Sequence, residues 1–344
     1  MLDYLIIGFG LGGSCLAHQL EKKNKRFLVF ENGSQQSSKV AGGLFNPVVL
    51  KRYSLAWNAD QQLKTALPFY RSLEKKLQTN FLKSVTVLRK FNSTEEQNNW
   101  FAAADKALLS PFLNTDLIKK HSKIPSNYGF GQVEQTGTVD TQSMLVAHSE
   151  YLAQNKQFVA TSFEHALLKI EKGFVQYKNH KARRIVFCEG FGMLQNPFFN
   201  YLPLQGNKGE YIIVEIPGLN LKEIVKASVF IIPLGNDRYK VGATYDRDFE
   251  NQLPSISAKE ELVQKLEKII AREYTIIDQV AGIRPTVSDR KPLVGQHPTY
   301  PNMYVCNGFG SRGVLVGPTA VQKLFAFMEE KKPLPEEVDI RRFD

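Results

Sequence analysis

Short apolar runs bounded by glycine and polar residues alternate along the chain with longer stretches of amphipathic spacing. Asp3 to Ile7 reads as a buried strand and "RFLVF" (26–30) as a second, with a helix between them, because unbroken apolar runs of this length flanked by turn formers suit strands. Helical spacing follows over 60–78 and 94–109, and a short strand, "VTVLRKF", lies between the two. "GTVDTQSMLVAHSEYLAQN" (137–155) predicts a turn and then a helix capped near Asp140 or Thr141. Strands are predicted near 167–177 and at "RRIVFC" (183–188), which ends in a glycine turn at Gly190. Between 205 and 248 the alternation of "GEYIIVEI", "SVFIIPL" and "RYKVGATY" is that of antiparallel strands. "AKEELVQKLEKIIARE" (258–273) reads as a helix with Leu262, Val263, Leu266, Ile269 and Ile270 on one side. The order strand, glycine turn, helix then returns in "MYVCNGFGSRGVLVGPTAVQKLFAFM" (303–328).

The first glycine turn, "GFGLGG", places Gly8, Gly10 and Gly13 in Gly-x-Gly-x-x-Gly spacing between a strand and a helix. The first glycine permits the tight turn, the second lets the backbone approach a pyrophosphate, and the third lets helix and strand pack closely. The helix N-terminus adds N–H groups and the positive end of its dipole. Glu31 ends the second strand, where a carboxylate can accept the hydroxyl hydrogens of an adenosine ribose and repel a 2′-phosphate. The pattern therefore predicts a bound dinucleotide, and NAD and FAD share it. The next segment, "NGSQQSSKVAGGLFNPVVLKRY", is a loop with a second glycine pair, Gly42-Gly43, where nicotinamide enzymes usually continue strand–helix alternation. Such a loop can lie along an extended cofactor.

The chain has 344 residues, enough for two cores or for one large core with an insertion. A dinucleotide-binding domain that begins the chain and resumes at its end implies the latter. No apolar run approaches a membrane span and the first residues lack a signal-peptide pattern, so a cytoplasmic protein is expected. Cys15, Cys188 and Cys306 lie far apart without a Cys-x-x-Cys pair, which argues against a zinc site, a dithiol centre and a disulfide framework and predicts buried, inert thiols. The net charge of +10 suits either a solvated basic surface or a nucleic-acid footprint, and the cations are scattered among many segments. There is no nucleophile–base pair and no zinc spacing. His18 and His148 are expected to be packing or surface residues. A cofactor that carries the chemistry would account for the absence of a catalytic triad.

Taken together, "IIGFGLGG" with Glu31, "AGGLFNP", "NKGEYIIVE", "IIPLGNDRYKVGATYD", "AGIRPTVSDRKPLVGQHP" and "NGFGSRGVLVGP" resemble the D-amino-acid oxidase family of flavoproteins, in the family's order and over nearly the whole chain. "KGE", "GIRP" and "DRKPLVGQHP" look like glycine oxidase, whereas "GATYDRD" and "GFGSRG" look like the FAD domain of the bifunctional enzyme that modifies the wobble uridine of tRNA. The resemblance implies a discontinuous Rossmann-like FAD-binding domain (α/β) with an inserted antiparallel-sheet substrate domain (α+β). The expected boundaries are 1–58, 132–200 and 276–344 for the FAD-binding domain and 59–131 and 201–275 for the substrate domain. It further implies FAD-dependent oxidation of a C–N bond in an amino acid or N-substituted glycine, by hydride transfer to flavin N5. The alternative is a tRNA-modifying flavoenzyme acting on a glycine-like side chain. By matching position, Gly8, Phe9, Gly10, Gly12, Gly13, Glu31, Asn32, Gly42, Gly43, Phe45, Asn46, Phe163, Gly190, Gly310, Ser311, Arg312 and Gly313 would hold FAD. Arg284, Arg312 and Tyr245 would serve the substrate, with Arg284 clamping its carboxylate through a planar fork. The turn at Gly310 to Gly313 would offer N–H groups to flavin N1 and O2. The chain departs from the family at Phe230, where glycine oxidase has a tyrosine, and at Glu189, where a small residue is usual. No cysteine occurs in "IRPTVSDR", so the FAD is expected to be noncovalent. The oligomeric state stays open.

Overall fold

The structure is a computed structural model, and it describes residues 1–343. Its first sheet is built on parallel strands buried on both faces, as their unbroken apolar runs require. Leu2–Ile7 lies at its centre, between Phe27–Phe30 and His180–Phe187, and all three run parallel. Phe158–Val159 extends the sheet beyond Phe27–Phe30, and Met303–Asn307 pairs in parallel with the C-terminal half of His180–Phe187. The α-helices are α1 (Leu11–Lys22), α2 (Ser37–Val40), α3 (Ala59–Leu77), α4 (Thr94–Ala104), α5 (Thr141–Gln154), α6 (Ile256–Glu267) and α7 (Gly313–Glu330). One large apolar cluster joins α1, α3, α5 and α7 to a face of the first sheet.

The second sheet has seven strands, of which Leu204–Glu215 and Thr275–Val287 are the longest; they pair antiparallel along nearly their whole length. Its alternation sends Ile212, Val214, Val225, Ile231 and Val241 to one face, where they pack with Leu262, Leu266, Ile269 and Ile270 of the α6 region. Residues of the opposite parity turn the other way, toward the carboxyl ends of the first sheet's strands.

Four sequence expectations need correction. Gly137–Val139 is a short strand paired with Leu44–Phe45 and Leu82–Ser84, in place of a turn. The helix expected over 94–109 ends at Ala104, and turns closed by bonds such as Leu109 N–H to the Lys106 carbonyl carry the chain on toward Pro111. Thr275–Val287 and Phe130–Val133 belong to the second sheet, so the boundaries expected at 276 and 132 cut through it. Finally, α3 packs against α7 beside the first sheet, with the Tyr70 hydroxyl donating to the Val314 carbonyl at 2.8 Å, although 59–77 was expected in the substrate domain. The buried face of α3, including Leu63, Phe69 and Tyr70, fits the first core, and tertiary partners decide such a placement.

The three cysteines are free and buried, and burial raises their pKa, Cys306 to about 12. His18 and His148 are core residues. His18 meets the Phe69 ring edge-on at 4.9 Å and burial lowers its pKa to about 3, while His148 Nδ1 lies 2.9 Å from Ser14 Oγ. Among the described residues no helix is long and apolar enough to cross a membrane, and no group of three His, Cys, Asp or Glu residues could hold a metal ion.

Candidate active site

A continuous cavity of about 920 Å³ lies where the parallel strands end. Its floor comes from residues at or just beyond four of these ends: Gly8, Gly10 and Gly12; Glu31 and Asn32; Glu189 and Gly190; and Asn307, Phe309 and Gly310. Ligands of open parallel sheets bind at such carboxyl ends, where the strand order reverses on either side of the central strand. The glycine turn is sterically obligatory. Gly8 has φ +92°, and a Cβ there would fall 2.5 Å from the Cys188 carbonyl; one on Gly13 would fall 2.0 Å from the Gly8 carbonyl. Helix α1 then starts at the cavity with no bond from its N-cap residue Gly10, only its first N–H, that of Leu11, donating to Ser38 Oγ at 3.1 Å, and α7 starts without a side-chain cap after the turn Gly310–Arg312. The first-turn N–H groups that remain and the positive dipole ends of both helices face one cavity.

Glu31 lines this cavity, and its carboxylate accepts the backbone N–H groups of Phe9 and Gly33. Glu189 also lines it, held by His165 Nε2 at 2.9 Å and by the Asn196 side-chain amide at 2.6 Å. The loop bearing Gly42 and Gly43 forms a side wall. Lys240 pins that loop from behind by donating to the Val40 and Ala41 carbonyls at 3.3 and 3.1 Å, and its burial lowers its pKa.

The roof is the inward face of the second sheet. Lys226, Phe230, Gly242 and Tyr211 stand in one row across four paired strands, and Gly209 and Gly282 face each other in the next row along. Arg284 reaches across this face, donating to Asn207 Oδ1 at 2.8 Å and to the Thr244 carbonyl at 3.4 Å. Its guanidinium lies so close over Gly209 that an added Cβ would be 1.8 Å from Nη2. Arg312 donates to the Asn46 carbonyl at 2.9 Å, and burial lowers its pKa from the ordinary arginine value. Burial, with Arg89 and Lys265 nearby, pushes Lys226 down to about 8.

The cavity thus gathers Gly8, Gly10, Gly12, Glu31, Asn32, Gly42, Gly43, Asn46, Phe163, Gly190, Tyr245, Arg284, Gly310, Ser311, Arg312 and Gly313. Three residues expected in the cofactor set do not line it. The Phe9 ring is buried against His148 and Phe158, so only its backbone serves the turn. Gly13 is spent on contact with Gly8, and Phe45 packs over Gly137. Tyr245 lies at the rim, 62% exposed, with the Arg247 guanidinium 5.7 Å from its ring centre. Sequence reasoning missed Gly209, Tyr211 and Lys226. Strand parity would have put Gly209 and Tyr211 on one face, but nothing local marks Lys226, which sits in a three-residue strand.

A glycine-turn nucleotide site under a cation-bearing antiparallel roof defines a dinucleotide-dependent oxidoreductase. The chain belongs to the DAO family, "FAD dependent oxidoreductase", whose model matches residues 3–326, and its cofactor is FAD. It is similar to the glycine oxidase of Bacillus subtilis (strain 168), 23% identical over 92% of this chain and 90% of that one. It is also 24% identical to the tRNA 5-methylaminomethyl-2-thiouridine biosynthesis bifunctional protein MnmC of Idiomarina loihiensis, over 92% of this chain but 54% of the longer protein. The crystal structure of glycine oxidase from Bacillus cereus ATCC 14579 superposes with a TM-score of 0.79, at 20% identity, over 97% of this chain and 96% of that one. The residues present fit FAD: the close-packed glycine turn, the carboxylate of Glu31 at the end of the second strand and two helix N-termini without N-cap side-chain bonds all line or adjoin one cavity that runs from floor to roof.

Proposed function

We propose that the protein oxidises the C–N bond of a small amino acid or N-substituted glycine. One observation carries this reading: Arg284 stands in the roof of the cofactor cavity with neutral oxygens as its hydrogen-bond partners, and no described carboxylate pairs with it. A half-buried guanidinium without an acid is costly, and a substrate carboxylate supplies the missing charge in a two-pronged geometry. Bound FAD supplies the hydride acceptor. Asn207 and the Thr244 carbonyl fix the fork of Arg284, and the substrate's adjacent C–H bond is thereby held toward the floor. Phe230, Tyr211 and Ile232 line the roof around it and exclude water, which strengthens the ion pair. The Gly310–Gly313 turn and the α7 N-terminus would offer N–H donors to negative charge on the reduced ring.

The similarity to the tRNA-modifying protein supports a second reading, a glycine-like side chain on a tRNA uridine, which would use the same clamp. Anaerobic mixing of the yellow protein with amino acids, N-alkyl glycines and modified tRNA tests both. Bleaching by a small amine that also loses its effect when its carboxylate is amidated is the expected result. No bleaching by any small carboxylate-bearing amine would overturn the first reading, and bleaching by tRNA alone would establish the second.

A further inference from the structure

Lys226 is a second cation in the same chamber, and the proposed carboxylate clamp has no use for it. Its Nζ donates to the Ser228 carbonyl at 3.0 Å and lies 4.7 Å from the centre of the Phe230 ring. The charged groups that act on it, Arg89 and Lys265, are both positive, and each has its own acid, Glu96 for Arg89 and Glu261 for Lys265. Among the described residues no carboxylate lies within ion-pair distance of Lys226. A partly buried ammonium whose hydrogen-bond partner is a neutral carbonyl, and which opens on a cavity, is compensated best by an anion that enters the cavity.

The sheet register fixes how far this cation stands from Arg284. The Arg284 guanidinium covers Gly209, and the Lys226 ammonium covers Phe230. Phe230 is two strands away from the strand of Gly209 and pairs in the row of Tyr211, two residues further along. Two interstrand spacings and at most two residues of rise, since the bond to the Ser228 carbonyl draws the ammonium toward the Gly209 row, separate the cations by about 10–12 Å. Subtracting a charge-assisted hydrogen bond of about 2.8 Å at each end leaves about 4–6 Å between anionic oxygens. That is the spacing of two carboxylates on a skeleton of about five atoms.

Resting on the amine-oxidation reading above, we infer that the substrate carries a second carboxylate, which Lys226 binds while Arg284 holds the first. The substrate class is then a compact amino dicarboxylate or an N-carboxyalkyl amino acid. Ser228 and Phe230 present the ammonium, so Lys226 is a specificity-determining residue for the proposed reaction.

The test separates binding from turnover. Non-oxidisable probes, namely butyrate, malonate, glutarate and suberate, are titrated into the FAD-loaded protein and followed by the flavin absorbance shift. Glutarate should bind about tenfold more tightly than butyrate, the scale of one hydrogen bond to a charged group. Malonate and suberate should show less of this advantage. In Lys226→Met the advantage should vanish while butyrate binding stays unchanged; in Lys226→Arg it should persist. Equal affinity for glutarate and butyrate in the wild type, or an equal loss for both in Lys226→Met, would overturn the inference. A parallel anaerobic reduction series with glycine, sarcosine and N-carboxymethyl amino acids reports on the underlying reading independently. If dicarboxylates bind through Lys226 but no amine bleaches the flavin, the oxidation reading has failed and the anion site has not.

Discussion

Gly209→Ala tests the roof geometry more sharply than deletion of Arg284 itself. The backbone at Gly209 does not need positive φ, and alanine is tolerated in a strand, so the substitution is compatible with the local fold. The new methyl carbon would lie 1.8, 2.1 and 2.3 Å from Nη2, Cζ and Nη1 of Arg284, where ordinary carbon contacts are about 3.5–4.0 Å. The guanidinium must therefore rise by about 1.5–2 Å, beyond the reach of its 2.8 Å bond to Asn207. A misplacement of about 1 Å in a positioning group can cost on the order of 100-fold. Gly209→Ala should accordingly lower the second-order rate of anaerobic flavin reduction by about 10–100-fold, with most of the change in apparent substrate affinity. The FAD content and melting temperature should stay near wild type, because Gly209 belongs to the roof and not to the glycine turn. Arg284→Lys, which keeps charge but loses the fork, should give a loss of similar kind. An unchanged dependence of reduction rate on substrate concentration in Gly209→Ala would show that Arg284 does not act from the position it occupies over Gly209.

Three further outcomes are expected. Glu31→Ala should release FAD more readily, by about tenfold or more in dissociation constant, because ribose hydrogen bonds to a charged acceptor are worth about 1.5–3 kcal/mol; equilibrium dialysis of the yellow protein measures this. Acid precipitation should leave the flavin in the supernatant, since Arg284 to Arg290 contain no cysteine, and a yellow pellet would contradict it. Burial alone would raise the pKa of Glu329, but hydrogen bonds from Lys25 and Tyr4 and the charge of Arg184 more than reverse this, so the folded value lies below the unfolded one. The stabilisation is then complete above the usual carboxylate pKa and disappears as pH falls through the lowered one; the urea midpoints of wild type and Glu329→Gln should differ near neutrality and converge in acid.

Local chemistry made the floor of the site legible and topology hid the roof. Gly8, Gly10, Gly13 and Glu31 announce themselves because strand, turn and helix follow one another within 31 residues, so sequence spacing is nearly spatial spacing. The roof residues come from separate strands, and only pairing brings Lys226 beside Phe230, and Gly209 under Arg284. Pairing also decided that Thr275–Val287 joins Leu204–Glu215, against the boundary expected at 276. Phe9 and Phe45 were misplaced for a different reason. A motif assigns a position on the chain, but a side chain next to a functional backbone is free to point into the core, and both rings do.

The charges around the cavity are not balanced in the same way. Its acids already have protein donors: Glu31 takes two backbone amides, and Glu189 takes His165 and Asn196. Its inward cations have only neutral oxygens, Asn207 and Thr244 for Arg284, Asn46 for Arg312 and Ser228 for Lys226. Such cations weaken the fold unless something negative joins them. A structure selected for stability alone would place acids beside them, as it does for Lys208 with Glu210 a few residues from Arg284's partner Asn207. On the proposed function the uncompensated charges would serve the ligands: phosphate and reduced flavin near the helix N-termini, and carboxylate under the roof. Because these charges sit at separated points, anionic ligands would then be discriminated by where their charge falls as well as by how much they carry.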